Sequence, residues 1–256
     1  MIFSSLKNAL IRTIEYILFY IFVCIFLLTL LVFDVIQRIG GLFGRQGIEI
    51  TEYWFNLAIV NCLRITGTRF LFTYHESVPD TGPVVIVSNH QSMFDISTIF
   101  VALKKLSPRF VSKKELASGI PGVSICLKLS NADLIDRKDP SQAIPEIKRF
   151  AHYIKQIKKS AVIFPEGTRA RDGILKSFKR KGSEFLIQEC IPCYIQPIAI
   201  DGSWKLQKNK YGPFPLGTTV KINCLPKIHL TDKSQIPEIL NQVELSIKNE
   251  LNNLRG

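Results

Sequence analysis

The chain has 256 residues, which is enough for one domain with a single apolar core and a short appendage. Its net charge of +12 is uneven, because residues 1–50 carry four Lys/Arg against three Asp/Glu and the remainder therefore carries +11. A basic domain attracts nucleic acid, anionic lipid or phosphate-bearing substrates. The basic residues are not interleaved with aromatic side chains, which disfavours RNA binding, and the apolar N-terminus favours a membrane.

The six cysteines are scattered through mostly apolar stretches. Cys190 and Cys193 form a single C-x-x-C pair, which is weak evidence for zinc without a second pair or a matching His spacing. Buried thiols in a reducing compartment are the better interpretation. The acidic residues show no ligand clustering either, so we expect no metal site.

The N-terminal region contains an uncharged run of eighteen residues, Tyr16 to Phe33. As a helix it would be about 27 Å long, close to the ~30 Å hydrocarbon core of a bilayer. No small-x-small cleavage site follows, which disfavours a signal peptide. We therefore expect a membrane-embedded helix, and whether it crosses the bilayer stays open.

A second apolar stretch, Tyr53 to Leu63, is interrupted by Asn and contains Tyr and Trp. Such a stretch is typical of an interfacial helix. Two such segments would form a helical hairpin with both ends in the cytosol. The sequence thus predicts an N-terminal membrane-anchoring unit over residues 1–66 and an α/β domain over residues 67–256.

From Phe70 onward the pattern alternates short apolar runs with amphipathic stretches, which indicates an α/β sheet. The predicted strands are Val84–Val87, Phe110–Val111, Leu134–Ile135, Ala161–Phe164, Ile195–Ile200 and Thr219–Leu225. The predicted helices are Ile96–Leu106, Ser141–Lys159, Gly182–Cys190 and Ile236–Leu254.

The segment that follows the first of these strands carries the main candidate site. His90 lies where the strand ends, and Asp95 stands at the start of the next helix, where an aspartate is a good N-cap. Residues five apart do not pair on a continuous helix, so the two meet only if the chain turns between them. An aspartate that accepts from one imidazole nitrogen leaves the other nitrogen free as a base. A lone His and Asp would more often be a loop residue and a cap.

A second motif, Phe164-Pro165-Glu166-Gly167-Thr168-Arg169, follows another predicted strand. Gly167 allows close backbone approach to a ligand, and Arg169 can bind phosphate through two parallel hydrogen bonds. By itself this motif would be a turn with a surface arginine.

Together with Asn89-His90-Gln91-Ser92-Met93-Phe94-Asp95, this motif resembles those of the glycerolipid acyltransferases, specifically the 1-acylglycerol-3-phosphate acyltransferases. The resemblance runs from about residue 84 to about residue 200 with order and spacing intact. It implies a mixed sheet flanked by helices and a catalytic dyad of His90 and Asp95. It also implies substrate-binding roles for a further set of residues: Asn89, Lys113, Arg137, Glu166, Gly167, Thr168 and Arg169.

The resemblance further implies transfer of an acyl group to the 2-hydroxyl of lysophosphatidic acid, giving phosphatidic acid. The donor would be acyl-CoA or acyl carrier protein as co-substrate, with no cofactor, and the catalytic domain would lie on the cytoplasmic face of a membrane. Relatives often carry Ser where this chain has Ala170, so one hydroxyl contact is missing.

Three alternatives stay open. An enzyme of the same fold could acylate glycerol 3-phosphate or a lyso-lipid without phosphate. Ser92 could serve an esterase, although no G-x-S-x-G elbow surrounds it. A basic membrane-bound module could bind anionic lipid without catalysis, using the cluster Lys176, Lys179, Arg180 and Lys181.

Overall fold

The computed structural model describes residues 2–113, 118–130, 134–135, 140–209 and 212–256. The helices are α1 Ile2–Leu42, α2 Gly44–Arg64, α3 Asp95–Ala102, α4 Val123–Leu129, α5 Pro140–Ile157, α6 Arg180–Cys190 and α7 Ile236–Asn253. The strands are β1 Arg69–Tyr74, β2 Val84–Ser88, β3 Pro108–Phe110, β4 Ser112–Lys113, β5 Leu134–Ile135, β6 Ser160–Ile163, β7 Cys193–Asp201, β8 Thr219–Cys224 and β9 Ile228–Leu230.

Seven strands form one mixed sheet in the order β1-β8-β7-β2-β6-β3, with β9 also paired to β7. The pairs β1–β8, β2–β6, β2–β7 and β3–β6 are parallel, whereas β7 runs antiparallel to both β8 and β9. Strands β4 and β5 form a separate parallel pair. The predicted α/β fold with a mixed sheet flanked by helices is confirmed.

The central strand β2 shows why helices cover both faces of the sheet. Val84 and Ile86 lie in the core shared with α1, α2 and α3, whereas Val85 and Val87 lie in the core shared with α5, α6 and α7. All four side chains are fully buried. Side chains alternate between the two faces of a strand, and a continuous apolar run is typical of a strand buried on both sides.

The first two helices pack antiparallel as a hairpin. A Cβ atom added to Gly47 would lie 2.2 Å from the carbonyl oxygen of Gly40, so glycine there permits the close approach of the two helices. At the other end of α2, the Thr29 hydroxyl lies 3.4 Å from the Cys62 thiol. The inner face of α2 is buried against protein, with Phe55 in the core. The interfacial position of Tyr53–Leu63 stays a prediction, because this burial concerns one face of α2 and Trp54 on the same helix is exposed.

Helix α1 keeps a broad apolar face exposed, including Leu28, Leu31 and Val35. Within the described residues, Ser5–Leu42 is the one helix long and apolar enough to cross a membrane. Its inner face joins the same apolar core as β2 through Phe22 and Leu30. The N-terminal helices and the sheet thus share one apolar core. The division of the chain into two units at residues 66/67 stays a prediction.

Most predicted elements begin and end within two residues of the observed ones, as for α5, α6, α7, β7 and β8. One helix is shorter than predicted, since α3 ends at Ala102 and a 3₁₀ turn, Lys104–Leu106, completes the run. Strands β1 and β9 and helix α4 have no counterpart among the predicted elements.

Candidate active site

Three strands of the sheet end at one edge, and polar residues follow each of them. Strand β2 is parallel to both β6 and β7, so the carboxyl ends of all three face the same way. His90 follows β2, Glu166 follows β6 and Ser203 follows β7. Ligands of open α/β sheets bind outside the carboxyl ends of the strands, so this edge is the candidate site.

His90 and Asp95 meet across the turn between β2 and α3, as the sequence requires. The His90 Nδ1 atom lies 2.9 Å from Asp95 Oδ2. The same oxygen accepts hydrogen bonds from the backbone amides of Gln91 at 2.7 Å and Ser92 at 2.8 Å. These amide bonds close the turn, so a single carboxylate oxygen both shapes the loop and holds the imidazole.

The predicted role of Asp95 as an N-cap is wrong. Phe94 occupies the cap position, and Asp95 is the first residue of α3, with its fully buried carboxylate reaching back to the turn. A carboxylate oxygen accepts the Nδ1 proton, so the neutral imidazole carries its lone pair on Nε2. The His90 side chain is 12% exposed. This combination leaves a base at the surface of the cleft.

The loop after β6 also holds His90. The His90 ring stacks on Phe164, with 4.1 Å between the centroids. The His90 backbone amide donates to Glu166 Oε1 at 2.7 Å, and its carbonyl accepts from the Ala170 amide at 2.7 Å. The two motifs are therefore joined directly at the sheet edge.

Glu166 is buried, and both of its carboxylate oxygens accept backbone hydrogen bonds. In addition to the His90 amide, it accepts from the Lys176 amide at 3.0 Å. Burial raises the pKa of this carboxyl above its usual value. The predicted substrate-binding role of Glu166 is not supported, because both of its oxygens accept from backbone amides and join the segments that carry His90 and Lys176.

Asn89 is also buried and bonded on both sides. Its amide nitrogen donates to the Ile200 carbonyl at 2.8 Å, and its oxygen accepts from the Ile200 amide at 2.8 Å. The side chain thus extends the pairing of β2 with β7 by one residue. This placement contradicts the predicted substrate contact. Asn89 instead stabilises the pairing of β2 with β7.

Gly167 and Thr168 form the turn of the second motif. Gly167 has φ +68°, in the left-handed region that favours glycine, and its amide donates to the Phe164 carbonyl. Thr168 is exposed, and its hydroxyl accepts from Lys176 Nζ at 3.2 Å. Their substrate-binding roles stay predictions.

Arg169 is half-buried beside the His90 turn. Its Nη1 atom donates to Gln207 Oε1 at 2.9 Å, and the same oxygen accepts from the Met93 amide at 3.1 Å. Burial and the neighbouring Arg171 lower the pKa of the guanidinium, while the charge of Asp95 acts in the opposite direction. Over the described ranges, no carboxylate lies within ion-pair distance of Arg169. The structure therefore brings His90, Asp95 and Arg169 to one edge.

Two predicted residues are not placed by the structure. Arg137 lies outside the described residues. Lys113 is the second residue of β4, where it pairs with Ile135, and nothing is described of its side chain. Their roles stay predictions.

Ser92 does not have the position of a nucleophile. It is fully buried, and its hydroxyl accepts from the Phe94 amide at 3.3 Å. A nucleophilic hydroxyl must face the base and the substrate. This placement disfavours the esterase alternative.

Ser203 and Gln207 have no counterpart among the predicted site residues. Ser203 Oγ donates to Asp95 Oδ1 at 2.6 Å, and Gln207 binds Arg169. The sequence signal that could have found them is the Asp-Gly-Ser turn directly after a predicted strand, because a parallel neighbour of β2 must end at the same edge.

An aromatic cluster connects helix α1 to the site. The Phe94 ring lies 6.2 Å from both Phe22 and Phe26, and Phe214 lies 4.9 Å from Phe22. Phe94 directly precedes Asp95, so the apolar helix packs against the turn that carries the base.

The C-x-x-C pair lies away from this site at the end of α6. Cys190 and Cys193 are buried and free. Burial raises the pKa of each thiol to about 12, so both are protonated at neutral pH.

The chain is similar in sequence to proteins from plants and bacteria. The 1-acyl-sn-glycerol-3-phosphate acyltransferase of Cocos nucifera is 30% identical over 187 residues, which cover 72% of this chain and 54% of that protein. The Pseudomonas aeruginosa protein of the same name is 28% identical over 182 residues, covering 70% of this chain and 67% of that protein. The chain thus spans about half the length of the plant relative and two thirds of the bacterial one.

Among solved structures, the crystal structure of the 1-acyl-sn-glycerophosphate acyltransferase from Thermotoga maritima matches with a TM-score of 0.58. The match covers 90% of this chain and 96% of that chain, at 19% identity, so it establishes the fold alone. The sequence pattern of the family described as "Acyltransferase" matches residues 69–201, the segment that contains His90, Asp95 and Arg169. The chain therefore belongs to the acyltransferase family.

Proposed function

We propose that this protein transfers a fatty acyl group from acyl-CoA or acyl carrier protein to the 2-hydroxyl of 1-acylglycerol 3-phosphate, giving phosphatidic acid. The observation that carries this proposal is one sheet edge that holds both an Asp-oriented imidazole and a half-buried arginine, which has no carboxylate partner among the residues that the structure describes. The first is suited to deprotonate a hydroxyl. The second is suited to bind an anionic group such as phosphate. The names of the related proteins support this acceptor.

In the proposed reaction, His90 Nε2 takes the proton of the acceptor hydroxyl as its oxygen attacks the thioester carbonyl. A C–O bond forms, the C–S bond breaks, and the proton passes from the imidazolium to the leaving thiolate. Asp95 stabilises the imidazolium while it exists. No covalent acyl-enzyme is needed, which agrees with the buried position of Ser92.

The acceptor phosphate would be bound by Arg169 and, as the resemblance implies, by Arg137. A half-buried guanidinium has lost part of its hydration, and an anionic ligand restores favourable interactions. Arg171 adds positive charge close by, as its effect on the pKa of Arg169 shows. Lysophosphatidic acid has both the anionic group and the hydroxyl that this arrangement requires.

The apolar helix α1 would place this site at a membrane surface. Its exposed face carries leucine, isoleucine and valine side chains, and its inner face contacts Phe94 next to the base. A lyso-lipid has one end in the bilayer and one end in water. We propose that the catalytic domain lies on the cytoplasmic face, which agrees with its free cysteines.

The test is an acylation assay of purified membranes with lysophosphatidic acid, glycerol 3-phosphate and monoacylglycerol as acceptors, each with acyl-CoA and acyl carrier protein donors. We expect lysophosphatidic acid to be acylated, and His90→Ala to lower kcat/KM by about 10² to 10⁴. His152→Ala is the matched control, since this exposed histidine lies on α5 and its ring bonds Gln156 alone among the described residues. Acylation of monoacylglycerol alone would contradict the role of Arg169, and full activity of His90→Ala would contradict the base.

A further inference from the structure

The segment Ser203–Gln207 forms a 3₁₀ turn that crosses the sheet edge directly after β7. Gly202 precedes it with φ +89°, and a Cβ atom at this position would lie 2.2 Å from the Thr219 carbonyl oxygen. Only glycine fits there, and the sharp bend directs the next residues back over the His90 turn. The segment begins two residues after the match to the family ends, at residue 201.

We infer that Ser203 and Gln207 are positioning residues. Ser203 orients the base His90 through Asp95, and Gln207 orients Arg169. This inference rests on the proposed function, in which Asp95 orients the base and Arg169 binds the acceptor. One short segment would thereby fix the geometry between the base and the phosphate of the acceptor.

Ser203 controls the second oxygen of the Asp95 carboxylate. The serine is buried, and its hydroxyl lies 2.6 Å from Asp95 Oδ1 but 3.4 Å from Gln91 Oε1. A hydroxyl has one proton to donate, and the shorter contact to a carboxylate is the stronger. With Oδ1 held by Ser203, the carboxylate cannot rotate, and Oδ2 stays directed at the imidazole.

The Ser203 hydrogen bond also stabilises the negative charge of Asp95. If the donor is removed, that charge is concentrated on the remaining contacts, one of which is the imidazole. The Asp95 side chain would also be free to rotate, because Oδ1 has lost its donor. Loss of Ser203 would therefore disturb the orientation of the imidazole and lower the rate of the reaction.

Gln207 holds Arg169 without neutralising it. Its amide oxygen accepts from Arg169 Nη1 and from the Met93 amide, so the guanidinium is tied to the turn that carries the base. A neutral acceptor directs the arginine and leaves its full charge for a phosphate. A carboxylate at the same position would form an ion pair with Arg169 and compete with the substrate.

Ser203→Ala tests the first half of the inference. We expect kcat to fall about 10- to 100-fold, the factor for a lost hydrogen bond to a charged group, with the acceptor KM little changed. Ser203→Cys, which keeps a weak donor at this position, should recover part of the rate. Ser183→Ala is the matched control, because this buried hydroxyl on α6 has no partner among the described residues.

Gln207→Leu and Gln207→Glu test the second half. Both should raise the KM for lysophosphatidic acid, and Gln207→Glu should raise it more, because its carboxylate pairs with Arg169. Equal effects of the two variants would overturn the role of Gln207. For Ser203→Ala, a wild-type kcat in a form that melts like the wild type would overturn the role of Ser203. The proposed function fails separately, if His90→Ala retains full activity.

Discussion

The candidate site has a base end, formed by His90 and Asp95, and an acceptor end, formed by Arg169. The two ends differ in the number of hydrogen bonds that hold them. The buried Asp95 carboxylate accepts four hydrogen bonds, from the His90 imidazole, two backbone amides and Ser203. Arg169 makes one described side-chain hydrogen bond, to Gln207. Substitutions at the base end should therefore act mainly on kcat, whereas substitutions at the acceptor end should act mainly on KM.

Asp95→Asn is expected to give the largest effect and tests the base end most directly. With its amide oxygen in the place of Oδ2, asparagine can still accept from the Gln91 and Ser92 amides and from His90 Nδ1, so the turn and the imidazole tautomer should persist. Its NH₂ group would then face the Ser203 hydroxyl, and the negative charge that stabilises the imidazolium is lost. We expect kcat to fall about 10²- to 10⁴-fold, measured with saturating lysophosphatidic acid, while circular dichroism stays unchanged.

Asp232→Asn is the control for this change. Asp232 is an exposed helix cap that accepts from the Ser234 amide in the C-terminal part of the chain. It should leave turnover unaltered. Turnover of Asp95→Asn close to that of the wild type would remove Asp95 from the mechanism and reduce it to a residue that shapes the turn.

Arg169→Lys tests the acceptor end. Lysine keeps the charge but lacks the planar fork that binds a phosphate through two parallel hydrogen bonds. We expect the KM for lysophosphatidic acid to rise about tenfold or more, with a smaller change in kcat. Arg171→Lys, at an exposed neighbour, should change KM less. A fall in kcat with unchanged KM would mean that Arg169 acts on the reacting groups and not on the phosphate.

The distance along the chain between two site residues decides whether their contact could be predicted from the sequence. His90 and Asp95 lie five residues apart on the two sides of one turn, so local chain geometry brings them together and the pairing is visible in the sequence. Ser203 lies more than one hundred residues further along the chain and reaches Asp95 only because β7 is the parallel neighbour of β2. The Asp-Gly-Ser turn marks the end of a strand, but no local pattern tells which strand lies beside β2.

Glu166 and Asn89 show a second limit of sequence-based prediction. Both stand inside motifs that mark the site, yet both are buried and bonded to backbone groups. A motif identifies residues that the site requires, but it does not separate those that touch a ligand from those that hold the loops. Burial and hydrogen-bond partners make that distinction, and they depend on the folded structure.

Glu166→Gln is expected to give the smallest effect on catalysis and a clear effect on stability. A glutamine oxygen can accept from either the His90 or the Lys176 amide, while its NH₂ group faces the other amide and leaves it without an acceptor. An unsatisfied buried amide costs about 1–3 kcal/mol of unfolding free energy. Thermal melting in detergent should show the loss, and kcat should fall modestly because the His90 backbone loses a bond.

The difference in unfolding free energy between the wild type and Glu166→Gln should depend on pH, and the raised pKa of Glu166 sets the direction. Burial raises the pKa of Glu166, so the folded state binds the proton of this carboxyl more tightly than the unfolded chain does. Its contribution to stability is fully present below the ordinary glutamate pKa of about 4.3 and declines as the pH rises through the raised value. The stability advantage of the wild type over Glu166→Gln should therefore narrow as the pH rises from about 4 through the raised pKa of Glu166. An advantage that widens over this range would mean that the two amide bonds to the ionised carboxylate outweigh its burial.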